Sequence, residues 1–329
     1  MQFSPGIYEH AAALLGRSPW EVSRDGHLLA KAHQAAWERY RHPLIVVGID
    51  VYNVEAEAYG AGVPEPRGNN MPSISSHPCQ EAEALREVGL LQPGEHPRIG
   101  EVLEAGCRLR DNCPGAEVRI PVCGPFALAI GLMGMNELLM ALVEERDVLR
   151  EGLRHLLSGQ FNYMKAIREC GLRPVFFESG TTPPLLPVEA FTDLEAPLLK
   201  ELLERSRELF GESSPCIIGG DAAGIARPLM ETGPGFVIAP SESDRRAFIE
   251  ASREFPDIHV RVNIPSAILL STSFTPVMTV AQEALDIAAT RPNSSVGCGV
   301  VPFEADPAMI LHLKRYIENK PTTTPISDR

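Results

Sequence analysis

Continuous apolar runs that end in polar residues recur along the chain. The first strong one is Leu44–Tyr52 (LIVVGIDVY). The pattern returns at Val118–Cys123, Pro174–Glu178, Pro215–Asp221, Phe236–Pro240, Ile258–Ile264 and Ser295–Val301. Strands covered on both faces read as unbroken apolar runs, whereas half-exposed sheets alternate. Helical stretches separate most of these runs, at 126–170, 190–211, 224–232, 243–254, 278–290 and 306–318. Within the first, Leu149, Leu153, Leu156, Phe161, Met164 and Ile167 form a stripe that predicts one long helix over 147–169. Ser4 before Pro5 predicts a helix from residue 5 to Leu15, closed by Gly16. Ser18 and Glu21 have capping-box spacing, and Asp25 starts a helix that reaches about Arg41 before Pro43.

Seven β units are visible, and an eighth is expected near Pro72–Ile74 or Pro19–Val22. Alternation of β and α at this count predicts an α/β fold, a (β/α)8 TIM barrel in a single domain over 1–329. Residues 1–42 read as an N-terminal helical extension. The Pro-, Gly- and Asn-rich segment 60–96 reads as a long insertion at the barrel mouth, and 321–329 as a flexible tail. A doubly wound open sheet is the alternative. It would carry a Gly-rich turn after its first strand, and IDVYNVEAEAYG is not one.

Charge and composition narrow the function classes. The net charge is −13 with no basic block, the wrong sign for an electrostatically driven nucleic-acid binder. The uncharged run Ile120–Asn136 contains Pro121 and Pro125 and is shorter than the ~20 apolar residues of a bilayer span. The opening MQFSPGIYEH lacks a basic region followed by an apolar stretch, so no signal peptide is expected. Seven cysteines without a repeated short spacing point to a reducing cytoplasm rather than a disulfide framework.

In a barrel the chemistry sits where strands end. Polar residues gather there: Asp50, Tyr52, Asn53, Glu55 and Glu57, then Cys123, then Glu178, Ser179 and Thr181, then Asp221, Ser241, Glu242 and Asp244, then Asn263 and Ser266, then Cys298. Glu178, Asp221 and Glu242 are the catalytic candidates. Tyr52, Asn53, Glu55, Cys123, Ser179 and Asn263 are the candidate substrate-binding residues. Each has a plainer reading. Glu178 is a buried acid at the site or a carboxylate that caps a loop. Asp221 after Gly219-Gly220 approaches a ligand or caps a helix at 224. Cys298 between two glycines is open to close approach or is a core filler. Glu55 and Glu57 share a face only on a strand. His77 reads as a surface residue and His259 as a satisfied core residue. No HxH, HxxxH or CxxC pair, GxSxG elbow or P-loop occurs.

Six segments resemble one superfamily. They are PGIYEHAAALLGRSPWEVSRD (5–25), VGIDVYNVEAEAYG (47–60), VCGPFALA (122–129), FFESGTTPPLLPVEAF (176–191), GGDAAG (219–224) and VGCGVVP (296–302). Together they are similar to the uroporphyrinogen decarboxylase-like superfamily, in its branch of corrinoid-dependent methyltransferases. The resemblance implies a (β/α)8 barrel, a homodimer, and methyl transfer involving a corrinoid carried by a partner protein. The decarboxylase itself is a poorer match, because the chain lacks its Arg-rich opening strand. Thiol-alkylating members hold zinc with a His-x-Cys pair and a later Cys. Cys298 matches the later Cys, but the pair would fall at about Ile217 and Gly219, which cannot ligate through side chains. Glu178 and Cys298 are then the candidate metal ligands, with Asp221 or Glu242 completing the set.

The expected activity is transfer of a methyl group from a small methylated ether, amine or thioether to a Co(I) corrinoid. Glu178, its pKa raised by Phe176 and Phe177, would protonate the leaving group. The alternatives are transfer from the corrinoid to a thiol or folate, a decarboxylase or lyase, and a non-catalytic subunit of a methyltransferase complex.

Overall fold

The computed structural model describes residues 1–319, and the predicted tail at 321–329 lies outside them. Eight parallel strands form the barrel: β1 Phe3–Gly6, β2 Leu44–Val46, β3 Glu117–Cys123, β4 Arg173–Glu178, β5 Cys216–Ile218, β6 Phe236–Ala239, β7 His259–Ile264 and β8 Ser294–Val300. They pair as two four-stranded arcs, β2-β3-β4-β5 and β1-β8-β7-β6. A single parallel bridge, Pro215 to Phe236, joins the arcs on one side. Helices follow every strand and cover the outside, as a (β/α)8 barrel requires.

The eighth strand is neither of the expected ones. It is Phe3–Gly6, which pairs with β8 through Phe3–Val296, Ser4–Gly297 and Pro5–Cys298. The helix predicted from residue 5 therefore begins only at Glu9, and Ser4 is a buried strand residue rather than a cap. FSPG is too short and too interrupted to show a strand pattern. Its proline is tolerated because β1 pairs on one side only. Residues 1–42 are thus not wholly a helical extension, since the barrel's first strand lies within them.

Other signals resolve with small shifts. Ser18 and Glu21 form the reciprocal capping box, and the Asp25 carboxylate accepts from the Leu28 N–H at 2.9 Å. The predicted strand 44–52 keeps ladder pairing only at Leu44–Val46 and then turns into a buried loop. The 126–170 stretch is three helices, Pro125–Met133, Met135–Glu144 and Arg146–Glu169. The first two meet at Gly134, whose φ of 88° disfavours other residues, and bend by 113°. Among the described residues no single helix is long and apolar enough to cross a membrane. The segment 60–96 folds back on itself through a Gly62–Ser76 bridge, and Met71 and Pro72 reach the barrel mouth.

His259 is satisfied as expected. It bonds Asn293 Oδ1 (2.9 Å) and Ser295 Oγ (2.8 Å) and stacks on Phe236. His77 is half-buried rather than a plain surface residue, with Nδ1 2.9 Å from the Gly131 carbonyl.

Candidate active site

A cavity of about 630 Å3 opens at the C-terminal ends of the strands. Its walls are mainly apolar, built from Ile49, Val51, Phe177, Ile217, Ile238 and Met71. That volume is in the range of small-molecule pockets, and its position is where barrel enzymes work.

The polar groups in this cavity come from four strand ends. Tyr8 and Glu9 follow β1. Tyr8 and Tyr52 both stand edge-on to Phe177, with ring centroids 6.3 and 5.9 Å away. Glu9 opens the short helix Glu9–Leu14 and lies half-buried in the wall. Its Oε2 is buried without a partner among the described residues. Burial pushes its pKa up to about 7, its own backbone N–H pulls it down, and the Glu304 charge pushes it up. At neutral pH much of Glu9 therefore carries a proton.

Asp50 and Asn53 follow β2. Asp50 accepts from Asn53 Nδ2 (2.8 Å) and is ion-paired with Arg98. Arg98 continues to Glu57 (2.6 Å), which also pairs with Arg24. Asn53 Nδ2 additionally reaches the Pro72 carbonyl at 2.9 Å, tying the 60–96 segment to the site. On β7, Arg261 donates from Nε to Asn263 Oδ1 (2.9 Å) and from Nη1 to the Ser4 carbonyl (3.2 Å). Gly297 makes this possible, because a Cβ there would meet Arg261 Cδ at 2.6 Å. Glu242, after β6, is exposed at the rim.

Four of the residues picked from sequence line the cavity: Tyr52, Asn53, Glu242 and Asn263. Six do not, and for two of them, Glu178 and Cys298, the reason is the strand period of two. Phe177 faces the barrel interior, so its neighbour Glu178 turns outward to the helices. There it is fully buried and accepts from the N–H groups of Phe126 (3.2 Å) and Ala127 (2.9 Å), which open helix Pro125–Met133. Burial and the adjacent Glu195 carboxyl push its pKa far up. Glu178 is a helix-capping group and contributes no atom to the cavity.

Cys298 follows the same rule. Gly297 and Gly299 face inward, and Cys298 between them is fully buried, its thiol pushed up to about 11 by burial. It packs in the main hydrophobic core. Glu178 and Cys298 sit on β4 and β8, in different arcs, so the candidate metal pair does not assemble. Among the described residues no group of three or more His, Cys, Asp and Glu side chains is placed to hold a metal ion.

Glu55 is buried on helix Asn53–Ala58, where it accepts the Cys123 N–H, and Cys123 donates its thiol to the Tyr52 carbonyl. Both support the wall from behind. Asp221 is exposed, lines no part of the cavity and caps no helix. Ser179 is half-buried outside the lining.

Sequence reasoning missed Tyr8, Glu9 and Arg261. The sequence pattern starts the first helix at residue 5, which hides Tyr8 and Glu9 just beyond a strand end. Arg261 was hidden in the apolar run, although an arginine between Val260 and Val262 on a buried strand is itself a signal.

Gly124 has a packing requirement that can be tested. A Cβ there would overlap the Glu178 carboxyl. Its φ of −74° and ψ of 168° suit any residue, so space alone demands glycine. Gly124→Ala is expected to destabilise the fold by about 1–3 kcal/mol through overpacking, read from urea unfolding midpoints. An unchanged midpoint would mean that Glu178 does not occupy this position.

The sequence matches the uroporphyrinogen decarboxylase (URO-D) family profile over residues 3–319. Among solved structures, a methyltransferase from Methanosarcina mazei superposes with a TM-score of 0.82 at 17% identity. The match covers 96% of this chain and 94% of that one, and it concerns the fold. No functionally curated protein matches the chain in sequence. With the profile spanning nearly its whole length, the chain belongs to the uroporphyrinogen decarboxylase family.

Proposed function

We propose that the protein is a methyltransferase that takes a methyl group from a small methylated compound, with a partner-borne corrinoid as acceptor. The observation that carries this reading is the cavity itself. It is mainly apolar, flanked by Tyr8 and Tyr52, and its wall holds a half-buried carboxyl group, Glu9, whose pKa burial pushes up to about 7. The fold likeness to a methyltransferase supports the same reading.

A cavity of about 630 Å3 suits a small donor and leaves no room for a corrin macrocycle beside it. The acceptor would meet the mouth, where Leu270 and Val300 expose apolar side chains. A Co(I) corrinoid there would supply the nucleophile. Zinc does not fit: Cys298 and Glu178 lie apart, and neither side chain opens into the cavity.

The chain's own task is to hold the donor and improve its leaving group. Tyr8, Tyr52 and Phe177 enclose the apolar part, and Glu9 gives its proton to an ether oxygen as the methyl carbon departs. The seven unpaired cysteines support a reducing, cytoplasmic setting.

The test is a single-turnover assay in which reduced cobalamin, or a corrinoid protein charged with it, is mixed with the enzyme. A panel of methyl ethers, amines and thioethers is then added. Loss of the Co(I) absorbance with one donor class is expected. Methyl loss from methylcobalamin to a thiol or folate would reverse the direction. No transfer either way would overturn the reading.

A further inference from the structure

Arg261 is a buried cation without a counter-ion among the described residues. Only 6% of the residue is exposed, yet no carboxylate lies within ion-pair distance of it among the described residues. Of the carboxylates in the cavity wall, Asp50 is taken by Arg98, and Glu9 and Glu242 do not reach the guanidinium. Two of its nitrogens are used internally, Nε on Asn263 and Nη1 on the Ser4 carbonyl. Nη2 has no hydrogen-bond partner among the described residues, and it is not sealed in the core either. Arg261 lines both the main cavity and a void of about 30 Å3 that continues into the barrel.

Two further donors stand beside it. Arg261 Nε can only donate, so it fixes the Asn263 oxygen towards itself and leaves the Asn263 Nδ2 hydrogens uncommitted. Tyr8 lines the same cavity and the same small void as Arg261, and its hydroxyl makes no hydrogen bond among the described residues. A buried charge left unpaired is costly, and a guanidinium flanked by amide and hydroxyl donors matches the lone pairs of a planar oxyanion.

We propose that Arg261, Asn263 and Tyr8 form an oxyanion subsite at the base of the cavity, and that the donor carries a carboxylate there. The inference rests on the methyltransferase reading for the word donor, but not for the subsite. The carboxylate is held at the base of the barrel, and the methyl group extends towards Glu9 and the mouth.

Binding is tested without turnover, using benzoate and its neutral isostere benzamide, with acetate and acetamide as a smaller pair, by titration calorimetry on the full chain. Benzoate is expected to bind about tenfold or more tightly than benzamide. Arg261→Gln is expected to erase that preference. Because Arg261 also braces β1, Asn263→Asp is the second variant. It places a carboxylate against the guanidinium, keeps the fold and should equally abolish the preference. Equal binding of acid and amide, binding of neither, or a preference that survives Asn263→Asp would overturn the subsite. If the preference holds while no methyl transfer is found, the subsite stands and the methyltransferase reading falls.

Discussion

Glu9→Gln is expected to slow single-turnover methyl transfer from an ether donor by about 10²–10⁴-fold, the usual contribution of a positioned general acid. Gln keeps the size and hydrogen-bonding reach of the side chain but has no acidic proton. The pH profile separates this from a structural effect. Glu9 is raised to about 7, so its protonated share falls as pH rises through that value. Wild-type transfer should decline on the alkaline side of about 7, and the variant's residual rate should be flat across the same range. The donor class matters too. A cationic ammonium leaves without being protonated, so an ammonium donor would lose little in the variant. An unchanged rate with ethers, or an alkaline limb that survives in the variant, would remove Glu9 from the mechanism.

The contrast between Glu9 and Glu178 shows what sequence could and could not reveal. The barrel is legible because buried parallel strands are apolar throughout, and because five helical stretches fall between the seven visible runs and a sixth follows the last. That same uniformity hides direction. In VFFE no polar alternation tells which of Phe177 and Glu178 faces inward, so the carboxylate at the strand end reads as the chemical group. The ladder settles it, because Val175, Phe177 and Ile217 pack inside with Val46 and Val51, and Glu178 must turn away. Cys298 is misread for the same reason. Glu9 and Tyr8 were lost through β1, whose Pro5 and Gly6 mimic a helix start. Tyr52, Asn53 and Asn263 were found because they sit in, or just beyond, strand ends whose inward direction the loop itself fixes.

Glu55→Gln should stabilise the protein, and by an amount that grows with pH. Glu55 is 1% exposed. One carboxyl oxygen accepts the Cys123 N–H, and the other has no partner among the described residues. No cation among the described residues offsets the burial, which pushes its pKa up to about 8. An acid whose folded pKa is raised binds its proton more tightly in the native state. Its contribution is fully present below the unfolded value near 4.5. It is lost as pH rises through about 8, at about 1.4 kcal/mol per pH unit. Over that window the loss is on the order of 4–5 kcal/mol. Glutamine is neutral in both states, and its carbonyl can still accept from Cys123. Gln160, which donates to the Cys123 carbonyl, has an Oε1 without a donor in the same cluster. Wild-type and variant should therefore melt together near pH 5 and separate towards pH 8, by on the order of 10 °C in Tm. Glu9 and Glu195, both raised to about 7, slope the wild-type curve in the same direction and cancel in the difference. Methyl transfer should persist, since Glu55 lies behind the wall rather than in the cavity. A constant offset between the two melting curves at all pH values would mean that Glu55 is ionised in the folded protein, and that the Glu55–Cys123 contact holds a charge rather than a proton.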